Sequence, residues 1–244
     1  MPKSIMLLDA NAVPDLKVYL ARLQNAQVDR VLVQVVRHGG GVSAVFAGAL
    51  LAPESLLDKT PTVLAEKAYR VRVNAEAAES GPRLGLSSPE SPESPESPQP
   101  ELVLNEVYPL AALNERLAHL QRTGANVLQL PPAATTASWA GVTAPLGGWQ
   151  AEGQIAASSL QQVAQQGAAR IAAALPTAPG QAIVNSLRAE VWGAPMLPGV
   201  PAGAAFALAH LGFLEGAENA RLLRHGNWVR IATSRGSAVV RQGL

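Results

Sequence analysis

The stretch Val31–Leu51, VLVQVVRHGGGVSAVFAGALL, decides the fold class that the sequence predicts. Val31–Val36 and Val42–Leu51 are apolar runs, and the glycines Gly39–Gly41 separate them. Two such runs around a glycine cluster predict a β-hairpin. A P-loop would instead need a lysine after the glycines and then a helix. We therefore interpret the glycines as a turn and not as a phosphate-binding loop.

Further strands and a helix are predicted on both sides of this hairpin. Upstream, Ile5–Asp9 is a short apolar run that predicts a strand, and Pro14–Asn25 carries leucines at helical spacing. Pro14 suits the first turn of a helix, because backbone N–H groups there make no hydrogen bond within the helix. Downstream, Thr62–Val73 alternates apolar and polar residues at its end, which predicts another strand.

A proline-rich segment, Leu86–Pro100, then interrupts the pattern with the sequence LSSPESPESPESPQP. Frequent proline prevents helices and sheet ladders, so we predict a disordered insertion that acts as a spacer, with a PxxP-type ligand as the alternative. Glu101–Val107 and Asn126–Leu130 predict strands on either side of a helix that opens at Pro109. We expect Thr62–Val73 and Glu101–Val107 to lie in one sheet, because neither side of the insertion supplies a full core alone.

The order strand, proline, helix, strand thus occurs twice in the first half of the chain. The first copy runs through Pro14 and the second through Pro109. This is a weak β-α-β internal repeat, and the alternative is a chance match between leucine-rich helices.

The second half of the chain predicts a different arrangement. Residues 133–152 are rich in glycine and proline and predict an irregular connector. Three helices are predicted next, over Ala156–Leu175, Gln181–Trp192 and Pro201–Leu211. A β-meander follows, with a tight turn at Gly226-Asn227. Three helices followed by a meander resemble the winged-helix layout at the level of fold class.

The predicted fold is therefore α+β. Residues 1–132 form a sheet domain with two helices, residues 133–152 connect it, and residues 153–244 form a helical part closed by the meander. The helix Pro201–Leu211 is almost wholly apolar and belongs in a core or at an interface, so self-association of the chain is one expectation.

Composition excludes several classes of function. The chain has 244 residues and no cysteine, so disulfides, thiolate nucleophiles and iron–sulfur clusters are excluded. Its four histidines form no metal-ligand pair, and no GxSxG or other catalytic motif is present. We predict no metal site and no cofactor. No apolar run is long enough to cross a membrane, and we expect a soluble cytoplasmic protein without a membrane partner.

The strongest electrostatic feature is the C-terminal end of the chain. No acidic residue follows Glu218, whereas five arginines do: Arg221, Arg224, Arg230, Arg235 and Arg241. His225 and Trp228 lie among them. We interpret this meander as a surface for an acidic protein and the chain as a non-enzymatic interaction or regulatory protein. The alternative is nucleic-acid binding by a winged-helix-like module, in which Gln181–Trp192 would be the reading helix.

Trp139 and Trp149 form the second candidate site. They lie ten residues apart in the irregular connector, where large side chains that need burial are unexpected. One interpretation is that both anchor the connector onto the body of the protein. The other is an aromatic binding surface, which leaves open an enzyme with a cleft for a small substrate near these tryptophans.

Overall fold

The computed structural model describes residues 3–53, 58, 60–73, 100–132, 134–176 and 180–241. Apart from Pro100, the proline-rich segment lies outside these residues, and so does the prediction that it is disordered. The described residues form an α+β structure of twelve strands and five α-helices, as the sequence predicts.

The first half of the chain contributes six strands and two helices. Their bounds are β1 Ser4–Leu7, α1 Ala12–Asn25, β2 Arg30–His38, β3 Gly41–Leu51, β4 Thr62–Val73, β5 Glu101–Pro109, α2 Leu110–Thr123 and β6 Val127–Gln129. The hairpin predicted from Val31–Leu51 is confirmed as β2 and β3, which pair antiparallel from Leu32 and Ala47 to His38 and Gly41.

The second half contributes three helices and six strands. Their bounds are β7 Gln150–Ala156, α3 Ala157–Ala174, α4 Gln181–Gly193, β8 Pro195–Leu197, β9 Val200–Pro201, α5 Ala202–His210, β10 Asn219–His225, β11 Trp228–Ala232 and β12 Ser237–Arg241. The three helices and the meander confirm the predicted order. Gly212 follows the end of α5 with a φ of 71°, the left-handed conformation that glycine adopts readily at this position.

One ten-stranded antiparallel sheet joins both halves of the chain, in the order β5-β2-β3-β4-β12-β11-β10-β7. β4 is the branch point of this sheet. Its first half pairs with β12, and its second half pairs with β1, which in turn pairs with β6. The prediction that the strands before and after the proline-rich segment lie in one sheet is confirmed, since these strands are β4 and β5.

The two copies of the weak repeat pair with each other. β1 pairs antiparallel with β6 and β2 with β5, so each strand of one β-α-β copy meets the opposite strand of the other. Helices α1 and α2 contact each other above these pairs. The pairing suits a two-fold relation between the copies, while a duplication in sequence stays a prediction.

The position of the meander differs from that in a winged helix. β12 pairs with β4 of the first half, so the meander continues the large sheet. The likeness to a winged helix is therefore confined to the order of the elements. The division of the chain into domains at 1–132, 133–152 and 153–244 stays a prediction. Strands from the first and the last of these parts share the large sheet.

The connector is not irregular throughout, which corrects the expectation for residues 133–152. Ser138–Gly141 forms a 3-10 helix, and β7 begins at Gln150 and pairs with β10 at the end of the sheet. The sequence of β7, QAEGQIA, has one large apolar residue, Ile155, and is exposed over most of its length. The strand forms because the meander offers an unpaired edge, which no local pattern in β7 reveals.

The main core lies on the helical face of the sheet. Leucines of α1 and α2 and the small apolar residues of α5 pack there against alternate residues of the strands. α5 is buried between the sheet and the helices α3 and α4, which confirms its prediction as a core helix. The Tyr19 hydroxyl donates to the backbone oxygens of Phe46 and Ala65, at 3.0 and 2.8 Å, so its polar end is satisfied inside this core.

Candidate functional site

The opposite face of the sheet carries no α-helix among the described elements and is partly covered by the segment 134–149. Thr135 forms a bridge to Val107 of β5 where this segment begins. Trp139 then packs on two small apolar clusters, one around Leu32 and Ala47 and one that contains Trp228. The anchoring role predicted for the connector tryptophans therefore has a physical basis, because apolar burial is what holds this segment on the sheet.

Trp149 brings the connector and the meander together. Its indole N–H donates to the Pro145 oxygen at 2.9 Å, and its ring packs with Trp228 in one apolar cluster. The guanidinium carbon of Arg230 lies 4.5 Å from the centre of the Trp149 ring, which is a cation–π distance. His225 meets the same ring edge-on, and its Nδ1 lies 3.0 Å from the Gly147 oxygen.

The five arginines do not form one basic surface. Arg230 and Arg241 lie on the face with Trp228, where Arg241 is 6.0 Å from the Trp228 ring centre, whereas Arg224 lies beside Val229, on the helical face. Arg224 pairs with Glu152 at 2.7 Å. Arg221 lies opposite Ala232, on the same face as Arg230.

Arg221 and Arg235 complete the set. Arg221 is exposed on β10, and Arg235 lies in the turn between β11 and β12, where it pairs with Glu215 at 3.2 Å. Three of the five arginines, counting the Arg230–Glu66 pair, thus form ion pairs with carboxylates that precede Glu218. The absence of acids after that residue therefore gave an incomplete picture of the local charge.

Glu66 and Arg230 form the most buried ion pair among the described residues. Arg230 Nη2 donates to Glu66 Oε2 at 2.9 Å, and only 7% of the Glu66 side chain is exposed. Burial raises the pKa of the Glu66 carboxyl, and the nearby Arg230 opposes this shift without cancelling it. Arg230 Nε is buried and has no hydrogen-bond partner among the described residues.

A cavity of about 340 Å³ opens beside this pair, which is at the small end of the range for ligand pockets. Strands β2, β3, β4, β11 and β12 form its base, and Ala144–Leu146 of the connector forms one wall. Three buried polar or charged residues are found in the described part of the chain, Gln34, Glu66 and Ser237, and all three line this cavity. Their convergence at one place defines the candidate site, which we call the sheet-face cavity.

The rim of the sheet-face cavity carries a histidine–serine pair and a polar turn. His38 Nε2 lies 3.0 Å from Ser43 Oγ, next to the turn of the β2–β3 hairpin. No carboxylate of the described residues contacts His38, so the orienting acid of a catalytic triad is missing there. On the other side, the turn Thr233–Gly236 brings Arg235 to the rim.

The structure brings together part of the predicted site and adds residues that the sequence analysis missed. Of the predicted residues, Arg230 and Arg235 line the sheet-face cavity, and Trp149, which lies against Arg230, does not line it directly. Gln34 and Glu66 were missed because each was read as one more polar residue of a strand and not as a buried one. A buried polar position between apolar neighbours on the same strand face was the available signal.

The helix proposed as a nucleic-acid reader is engaged within the protein. Arg188 of α4 reaches Gln27 and the Ala26 oxygen at 3.4 Å, at the end of α1, and desolvation lowers its pKa. Gln181 donates to Asn185 on the same helix. Within the described ranges, no cluster of three histidine, aspartate or glutamate side chains could hold a metal ion, and no helix is long and apolar enough to span a membrane.

Comparison with known proteins gives one match. Residues 144–244 match the model of a family described as a domain of unknown function, DUF8185. The match includes Arg230 and Ser237, whereas Gln34 and Glu66 precede it. The sheet-face cavity is therefore lined by residues inside the matched region and by residues before it. No curated protein and no solved structure matches the chain.

Proposed function

We propose that this protein binds a small polar molecule in the sheet-face cavity and that Arg230 Nε donates a hydrogen bond to it. The observation that supports this function is the buried Nε of Arg230, a donor without a partner among the described residues, in a side chain that lines the cavity. Leaving a buried donor unpaired costs about 1–3 kcal/mol, and an acceptor atom of a ligand would recover that cost.

The other side chains around Arg230 suit a polar ligand. Gln34 donates to Asn105 at 3.1 Å and is held in place, while Ser237 and Ser43 offer hydroxyl groups to the cavity. Trp149 covers the Arg230 guanidinium, which keeps its plane fixed and its electrostatic attraction strong. A rigid, partly desolvated donor of this kind selects for an acceptor at one place.

An acidic protein partner or a nucleic acid receives less support from the geometry. Such partners need a continuous basic surface, and the arginines of the meander lie on both faces and are largely paired with carboxylates. A catalytic function has the His38–Ser43 pair in its favour and no orienting acid. Binding without catalysis is therefore the function that we propose.

The test is a screen of a library of small polar molecules by ligand-observed NMR, followed by ¹H–¹⁵N spectra of the labelled protein. The Arg230 Nε–H signal can be assigned with Arg230→Lys, which keeps a cation beside Glu66 and removes the Nε donor. We expect the hits to shift this signal and to lose at least about tenfold in affinity for Arg230→Lys.

A blocking variant and a matched control locate the binding. Ala68 is exposed and lines the cavity, so Ala68→Phe fills the space without disturbing the core, whereas Ala151 is an exposed alanine of β7 outside the cavity. Binding should be lost in Ala68→Phe and kept in Ala151→Phe. If no hit shifts the Arg230 signal, or if binding survives in Ala68→Phe, the proposed function is wrong.

A further inference from the structure

Arg235 lies between two cavities. It lines the sheet-face cavity and also a smaller one of about 160 Å³, which contains Glu215, Arg22 and the ion pair between Asp15 and Lys67. The backbone position of Arg235 therefore allows its long side chain to reach either space. In the structure its Nη1 lies 3.2 Å from Glu215 Oε2.

The turn that carries Arg235 is firmly anchored. Thr233 Oγ1 donates to the Phe213 oxygen at 2.8 Å, and the Thr233 N–H donates to the Gly236 oxygen at 2.9 Å. Gly236 packs directly on the Phe213 ring, where an added Cβ would come within 2.4 Å of a ring carbon. The turn cannot shift easily, so a change in which cavity Arg235 occupies would be a change of side-chain rotamer.

Glu215 does not depend on Arg235 for a counter-charge. Its other oxygen, Oε1, accepts from Arg22 Nη2 at 3.0 Å, so Glu215 would stay paired if Arg235 left. About half of the side chains of both Arg235 and Glu215 is exposed, and exposed ion pairs contribute only about 0–1 kcal/mol. A better acceptor in the sheet-face cavity can therefore compete for Arg235 at little cost.

The two arginines of the sheet-face cavity differ in their charge balance. Arg230 is neutralised inside the cavity by Glu66, whereas the counter-charge of Arg235 lies outside it. An anionic group beside Arg230 would be close to the Glu66 carboxyl and repelled by its ionised form. The base therefore favours a neutral acceptor, and the rim favours an anion.

From these observations we infer that the ligand carries a neutral hydrogen-bond acceptor for Arg230 at one end and a carboxylate at the other, which binds Arg235 in place of Glu215. A carboxylate fits because one guanidinium at the rim matches its planar pair of oxygens, whereas a phosphate dianion usually gathers several cations. This inference rests on the proposed function and adds to it the charge and polarity of the ligand.

The experiment compares two probes that differ in one group. Succinamate has an amide at one end and a carboxylate at the other, and succinamide has an amide at both. We titrate each into the ¹⁵N-labelled protein and follow the Nε–H signals of Arg230 and Arg235. Succinamate should shift both signals and bind about tenfold more tightly, since a charged hydrogen bond replaces a neutral one.

Three variants test the role of Arg235. Arg235→Gln should reduce the affinity for succinamate to that for succinamide. Glu215→Gln removes the competitor and should raise the affinity for succinamate several-fold, with no change for succinamide. Arg221→Gln removes an exposed arginine of the same meander that does not line the cavity, and it should change neither affinity by more than about twofold.

The outcomes separate this inference from the proposed function. Equal affinity for the two probes, with a shift of the Arg230 signal, would keep the proposed function and overturn the carboxylate at Arg235. A larger shift of the Arg235 signal by inorganic phosphate than by succinamate would overturn the choice of carboxylate. If neither probe shifts either signal while uncharged library hits shift that of Arg230, the inference is again overturned. If neither the probes nor any library hit shifts the Arg230 Nε–H signal, the proposed function itself is wrong.

Discussion

The two faces of the large sheet differ in how their buried polar side chains are paired. On the helical face, two backbone oxygens accept from the Tyr19 hydroxyl, and Lys67 and Tyr69 both donate to the Asp15 carboxylate. On the face covered by the connector, Glu66 has Arg230 as its partner, but Arg230 Nε has none among the described residues.

The difference follows from what covers each face. On the helical face, α1, α2 and α5 pack one continuous apolar core against the sheet. The segment 134–149 touches the sheet through Trp139, Ala144 and Trp149 and leaves a cavity beside them. A partly covered face thus keeps polar side chains in a semi-buried setting where a ligand can reach them, and the next four predictions test this contrast.

The largest effect is expected when the buried ion pair of the connector face is broken. Arg230→Met should lower the free energy of unfolding by about 3–5 kcal/mol, because it leaves the Glu66 carboxylate buried without a counter-charge. Urea denaturation measures this change in the free energy of unfolding. The double variant Arg230→Met with Glu66→Leu should recover most of the loss. A double variant no more stable than Arg230→Met would show that the pair itself was not the cause.

A matched pair of leucines compares the packing of the two faces. Leu20 is fully buried in the helical core, and Leu64 is 2% exposed in the small cluster beneath the connector. Leu20→Ala should cost about 3 kcal/mol and Leu64→Ala about 2 kcal/mol, because the connector can settle into the space more easily than two packed helices. Thermal or urea unfolding gives both values. Equal losses would mean that the connector packs as rigidly as the helices.

The pH dependence of stability should reveal Glu66. Its pKa is raised by burial in the folded protein, so the folded state holds this proton more tightly than the unfolded chain does. The resulting stabilisation is complete below the ordinary pKa of glutamate and is lost as the pH rises through the raised value. Relative to Glu66→Gln, the wild-type protein should therefore become less stable as the pH rises above the ordinary pKa of glutamate. Parallel stability curves would contradict the raised pKa.

The smallest effect is expected at the exposed edge of the meander. Arg224 and Glu152 join β10 to β7 at 2.7 Å, with about a third of each side chain exposed. Arg224→Gln should lower the free energy of unfolding by less than about 1 kcal/mol, because water screens the pair. A loss as large as that for Arg230→Met would mean that the two arginines are equivalent, and the contrast between buried and exposed pairs would fail.

Much of the fold could be predicted from local patterns. The hairpin around Gly39–Gly41, the core helix α5 and the turn at Gly226-Asn227 all follow from apolar periodicity and turn residues, and the structure has them. β7 was not predicted, because only one large apolar residue, Ile155, marks its inner side.

The candidate site could be predicted only in part. The arginines and tryptophans drew attention by their residue types, and two of the arginines do line the cavity. Their ion-pair partners Glu66 and Glu215 are 164 and 20 residues away from them along the chain. Which charges are neutralised is decided by strand register and turn geometry, and composition near the C-terminus carries no information about either.

The sequence by itself determined the helices, most strands and the α+β class, because each depends on the alternation of apolar and polar residues within one segment. Only the tertiary structure decided that β4 joins the two halves in one sheet, and that Gln34, Glu66, Arg230 and Ser237 meet on one of its faces. The physical reason is that pairing and burial are long-range. A side chain acquires an unusual environment from strands that are distant in the chain, and its own neighbours in sequence do not encode it.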